Sequence, residues 1–116
     1  MPPIVIRDAV KRELPDAGAV AVPMGEPVAR LKCWEALTDK EKKIEVGVWE
    51  CSPGVWRRQV KQAEVCHFLA GRAIFTPDGG EAVEIRAGNS VYFPANTGGI
   101  WNIQETVRKT YVVFGD

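Results

Sequence analysis

The carboxylate with the most chemistry to offer is Glu64. Strand alternation through Glu64-Val65-Cys66-His67-Phe68-Leu69 puts Glu64, Cys66 and Phe68 on one face and Val65, His67 and Leu69 on the other. An ionised group on an apolar face is costly unless it is paired, hydrogen-bonded or protonated. Upstream, Val55 to Gln62 alternates so that Trp56, Arg58, Val60 and Gln62 share the face that Glu64 continues when no bulge intervenes. A guanidinium can hold a carboxylate in fork geometry, so an Arg58–Glu64 pair inside the fold is expected, with Trp56, Gln62 and Trp101 as walls. The competing reading has Arg58 snorkelling to solvent from the rim.

Four more side chains could join that centre. Glu50 continues the face of Ile44, Val46 and Val48, which would bring a second carboxylate to the cavity; two carboxylates with pKa values pushed apart do general acid and base work. Its other reading is a strand-end carboxylate bonded to nearby backbone or a cation. Lys109 and Tyr111 share a face with Val113, and a lysine in an apolar interior needs a carboxylate partner such as Glu64 or Glu50. Cys66 lies on the Glu64 face but acts as a nucleophile only beside a base. The lone histidine, His67, has the opposite parity, so Cys66 reads as a buried lining residue. Trp56 and Trp101 are the two tryptophans expected to stack a planar or sugar-like ligand.

These residues need strands to position them, and the chain is punctuated as a strand-rich protein. Strands are predicted at Ala19–Val22, Leu31–Thr38, from Ile44, at Val55–Gln62, from Glu64 to a turn at Gly71, at Arg72–Thr76, Ala82–Arg86, Val91–Phe93, Ile100–Gln104 and Val107–Phe114. Ile4–Ile6 reads as a short strand and Arg7–Leu14 as a helical turn stopped by Pro15. The expectation is an all-β barrel or sandwich in one domain, residues 1–43 forming an arm and edge strands and 44–116 the core.

Fifteen Lys plus Arg balance fifteen Asp plus Glu, so no electrostatic footprint for nucleic acid or an anionic membrane is present. Three cysteines without a CxxC pair suit a reducing compartment, and with no signal-like or spanning apolar run the expected location is cytoplasmic. There is no phosphate-cradling loop and no serine hydrolase elbow.

A polar strand that leads from Gly54 to Glu64, six further residues and Gly71 resembles the first motif of the cupins, and Gly88-Asn89-Ser90-Val91-Tyr92-Phe93-Pro94 resembles the start of the second. Gly47 to Gly54, Glu64 to Gly71, and Trp101 to Tyr111 are similar to small single-domain cupins related to ureidoglycine aminohydrolase. The resemblance implies a single-domain jelly-roll β-barrel with its site inside, Lys109 and Tyr111 facing inward, and a homodimer formed through the N-terminal strand and an outer sheet face. The histidine positions of metal-binding cupins fall here on Arg58, Val60 and Gly99, so no divalent metal (manganese, iron, nickel or zinc) is expected. The function expected first is binding of a small polar metabolite, an amide, ureide or sugar-like compound, within the barrel. The alternatives are a hydrolase of C–N bonds in a small amide or ureide, working through a metal or a carboxylate pair in which Glu64, Glu50 and Lys109 are the candidate catalytic groups, and a structural homodimer with a filled barrel.

Overall fold

The computed structural model describes residues 2–115. Eight strands form: β1 (Asp16–Ala19), β2 (Arg30–Asp39), β3 (Ile44–Cys51), β4 (Gly54–Val60), β5 (Ala63–Pro77), β6 (Val83–Arg86), β7 (Ser90–Phe93) and β8 (Thr97–Phe114). Among the described residues no helix is long and apolar enough to cross a membrane.

The frame is the antiparallel ladder between β5 and β8, which runs from Ala63 opposite Phe114 to Pro77 opposite Gly99. Its first half lies in a sheet ordered β1-β2-β3-β8-β5-β7 and its second half in one ordered β4-β8-β5-β6. Two sheets that share their central strands close into an all-β jelly-roll barrel. The fold of the ladder falls between Phe68 and Ala73, where the pairing shifts register repeatedly. Gly71 sits there at φ +83°, and a Cβ on it would lie 2.1 Å from the Thr106 carbonyl oxygen, so only glycine fits.

Gly71 is therefore a bulge within one long strand rather than the predicted turn between two. The strands predicted at Ile100–Gln104 and Val107–Phe114 likewise merge into β8, because a bulge bends a strand without ending its pairing. The interior fills with Phe68, Phe75, Phe93 and Trp101, whose ring centroids stand 5.0–6.2 Å apart, together with Ile85, Ile103 and Val107.

The N-terminal part departs most from expectation. β1 forms at Asp16–Ala19 instead of Ala19–Val22. Residues 20–24 instead cross to the open edge of β4, where the Met24 amide donates to the Val55 carbonyl (2.9 Å) and the Arg57 amide to the Val22 carbonyl (3.0 Å). The segment thereby pairs with the edge of β4 between Val55 and Arg57. Ile4–Ile6 forms no strand, and Arg7–Leu14 makes one turn at Asp8, closed by the Arg12 amide on the Asp8 carbonyl (2.7 Å), before Leu14 is buried.

Candidate functional site

Glu64 enters the barrel from the first turn of the ladder, opposite Val113 of β8 on one side and Phe93 of β7 on the other. Its two carboxylate oxygens meet two cations. Arg58 Nη2 of β4 donates to Oε1 at 2.9 Å, and Lys109 Nζ of β8 donates to Oε2 at 2.6 Å. All three are buried, at 3% exposure for Arg58, 4% for Glu64 and 5% for Lys109. Arg58 also donates Nη1 to the Thr97 carbonyl (2.8 Å) and lays its guanidinium over Phe93, 4.1 Å from the ring centre. The Lys109 ammonium stands 4.4 Å from the centre of the Trp49 ring. Burial alone would raise the Glu64 pKa, but Lys109 and then Arg58 outweigh it and hold the carboxyl below its ordinary value, so the centre is ionic.

The triad forms the floor of a cleft of about 400 Å³ between the inner faces of β3, β4 and β8, walled by Trp49, Trp56 and Trp101. Further along the same sheet face Tyr111 donates its hydroxyl to Glu45 Oε2 at 2.5 Å and contacts the Cys33 sulfur at 3.4 Å. Burial, with the Cys33 and Glu45 contacts adding to it, raises the Tyr111 pKa, so the phenol stays protonated and donates. The Trp56 indole N–H reaches only the Cys51 sulfur, a weak acceptor, and makes no well-formed hydrogen bond.

The structure thus brings together Arg58, Glu64, Lys109, Tyr111, Trp56 and Trp101. It does not bring in three others expected there. Glu50 points the opposite way: Arg108 donates Nε and Nη2 to its Oε1 at 3.1 and 2.9 Å on the outer face. Ile44, Val46 and Val48 mark that outer face because it is itself covered, Val48 completely, so an apolar row did not mean the interior. Gln62 falls after β4 has ended at Val60, and its amide donates to the Lys43 and Gly115 carbonyls (3.2 and 3.0 Å), outside the cleft. Cys66 faces inward but packs into the core away from the cleft lining, with its thiol toward the Val91 carbonyl and its pKa pushed up to about 11 by burial. The thiol is inert.

Glu45 and Trp49 are two lining residues on β3 that sequence parity missed. Both sit on the β3 face of Gly47 and Cys51, and their cross-strand partners Val113 and Lys109 are the signal that finds them. His67 points outward, its Nδ1 2.8 Å from the Ser90 hydroxyl.

The residues present do not fit a metal ion. Two of the positions where metal-binding cupins place histidine carry Arg58, a cation, and Val60, an alkyl group. The third is Gly99, where a Cβ would lie 2.5 Å from the Thr76 carbonyl oxygen, so no ligand side chain can stand there. Among the described residues no three His, Cys, Asp or Glu side chains converge.

The family model of the EutQ-like cupin domain matches residues 38–111, which hold the whole triad, β3, β4, most of β8 and the Gly71 bulge. The chain belongs to the EutQ-like cupin family. A solved DUF861-family protein of unknown function from Pseudomonas syringae pv. tomato is similar in fold, with a TM-score of 0.78 at 20% identity. That match covers 88% of this cupin but 44% of the Pseudomonas chain, so this cupin spans less than half of that protein's length. The Clostridium difficile EutQ protein is similar at a TM-score of 0.65 and 17% identity, covering 82% and 80% of the two chains. A DUF861-family protein from Thermotoga maritima is 30% identical, with a TM-score of 0.56, over 58% of this chain and 76% of that one. A comparison with curated proteins finds no match.

Proposed function

We propose that this cupin binds a small polar metabolite, an amide, ureide or sugar-like compound, in the barrel cleft. The observation behind this reading is a fixed ionic triad at the floor of a cleft of about 400 Å³ walled by tryptophans. Ligand sites combine an apolar wall with a few placed polar groups in this way and at about this size, ~300–1,000 Å³. The open cleft counts against a filled, purely structural barrel. The test is a thermal-shift screen of small amides, ureides, sugars and acids against the wild type and an Ala21→Trp variant, Ala21 being an exposed residue of the cleft lining. Compounds that raise the wild-type melting temperature and leave the blocked variant unmoved support the reading; no such compound in the screen overturns it.

One observation favours a C–N hydrolase as the second reading. Glu45 and Glu64 both lie opposite Val113, one on each side of β8, which sets their backbones about 10 Å apart, two strand spacings. Glu45 would take a proton from water while the triad holds the substrate, and ammonia release from ureides that disappears in Glu45→Gln would favour it.

A homodimer is proposed through the outer face of the six-stranded sheet, where Val46, Val112, Val65 and Tyr92 stand in register across β3, β8, β5 and β7 with the last three exposed. A monomer in sedimentation velocity would exclude it. The three free thiols suit a reducing cytoplasm.

A further inference from the structure

We infer that the ligand is a small monocarboxylate: one anionic end, an uncharged planar or apolar body, and no second acid group. The inference rests on the binding reading and names the chemical class of its ligand. It starts from the charge of the triad. Arg58 and Lys109 bring two positive charges to one carboxylate, so the buried cluster has a net charge of +1, the same sum as a divalent ion held by a single glutamate.

Both Glu64 oxygens already have a cation, while the cations have donors left over. A guanidinium has five N–H groups and an ammonium three. In the described structure Arg58 engages two, on the Thr97 carbonyl and Glu64, and Lys109 engages one, on Glu64. The Phe93 and Trp49 faces cradle the charges without accepting an in-plane N–H. Both cations line the cleft. A carboxylate entering there takes one free N–H from each and neutralises the cluster, and burial makes that pairing stronger than it would be in water.

The Glu45 side of the cleft sets the limit. Glu45 is half-buried on the cleft, accepts the Tyr111 hydroxyl on one oxygen, and pairs with no cation among the described residues. At the rim Arg57 is already neutralised by Asp78. Glu45 lies on the same sheet face as Glu64, across β8, so the cleft is positive at the triad and negative beside Glu45, and a ligand with a second acid group brings it toward Glu45. Trp49 and Trp56 pack against each other, centroids 6.3 Å apart and tilted, and give the cleft an aromatic side along which an uncharged planar or apolar body can lie.

The test is calorimetric titration with three probes of one shape: benzoate, benzamide and terephthalate. Benzoate is expected to bind, benzamide about tenfold or more weaker because it cannot make the charge-assisted pair, and benzoate affinity is expected to fall as salt is raised. Terephthalate is expected to bind about tenfold weaker than benzoate in the wild type, and in Glu45→Gln that gap should close to about threefold or less. The benzoate-to-benzamide ratio is read on the wild type and does not depend on any variant folding. Equal binding of benzoate and benzamide overturns the inference while leaving a ligand-binding cleft. A terephthalate gap that Glu45→Gln leaves unchanged overturns the role of Glu45. Binding of none of the three overturns the inference too. It touches the binding reading only if the wider metabolite screen is also empty.

Discussion

Arg108 and Lys109 are neighbours on β8, and strand alternation sends them to opposite faces of one sheet, where they meet opposite fates. Outside, Arg108 holds Glu50 and gives its remaining reach to the carbonyls of Ala9 and Arg12 (3.0 and 2.7 Å), while Arg12 stacks its own guanidinium over Trp34 at 3.5 Å. Arg108 and Glu50 balance one to one there, and every nitrogen of the Arg108 guanidinium is engaged within the protein, although the buried Nε of Arg12 has no partner among the described residues. That cluster fastens the N-terminal arm. Inside, Lys109 shares a single carboxylate with Arg58, the charge is unbalanced and donors remain. A saturated cluster stabilises the fold; an unsaturated one in a cleft is arranged for something from outside.

The comparison breaks most directly at Glu64. Glu64→Ala leaves two buried cations without a counter-charge and is expected to cost about 3–5 kcal/mol, read by urea denaturation. The outer pair should give less: Arg108→Met is expected to cost about 1–3 kcal/mol, because Glu50 and two carbonyls lose one partner while water can still reach part of the site. Amide exchange should show residues 9–12 losing protection with the cleft's binding unchanged; loss of binding there would mean the two faces are coupled.

Acid sharpens the contrast. Lys109 and Arg58 hold the Glu64 pKa in the folded protein below its ordinary value of 4.5, so its contribution to stability is complete above that value and is lost as pH falls through the folded one. Stability measured from pH 7 downward should decline below about 4.5, and Glu64→Gln should flatten that decline. The smallest effect is expected beside Glu45, where Tyr111→Phe removes a hydrogen bond to a half-exposed acceptor and costs about 1 kcal/mol, with the triad intact.

What sequence could reveal followed from local parity. The alternation that joins Arg58 to Glu64 survives the break at Lys61–Gln62, and the all-β class is visible in the short, turn-bounded strands, while the jelly roll came from the cupin resemblance. Parity failed where a strand has two covered faces. On β3 the row Ile44, Val46, Val48 is more apolar than the row Glu45, Gly47, Trp49, Cys51, yet the second row faces the barrel and the first lies on the outer face, where its Val48 end is fully buried near the N-terminal arm. No local pattern announces an arm that returns to cover an outer face. Gln62 failed for a related reason: a strand end is set by where its neighbour stops pairing, and β8 begins at Thr97, opposite Val60. Glu45 became legible only with the register between β3 and β8, a relation between residues more than sixty positions apart.

The ladder shared by β5 and β8 bears on how the protein comes to exist at all. Neither sheet can be completed before the two longest strands have met, and they meet through residues as distant as Ala63 and Phe114. Loop closure of that length is slow, so the barrel is expected to fold late and as one cooperative unit. Glu64 and Lys109, 45 positions apart, cannot pair until that closure is made. During synthesis the chain would therefore emerge with its acid and its lysine apart, and the ionic floor of the cleft would be among the last features to assemble.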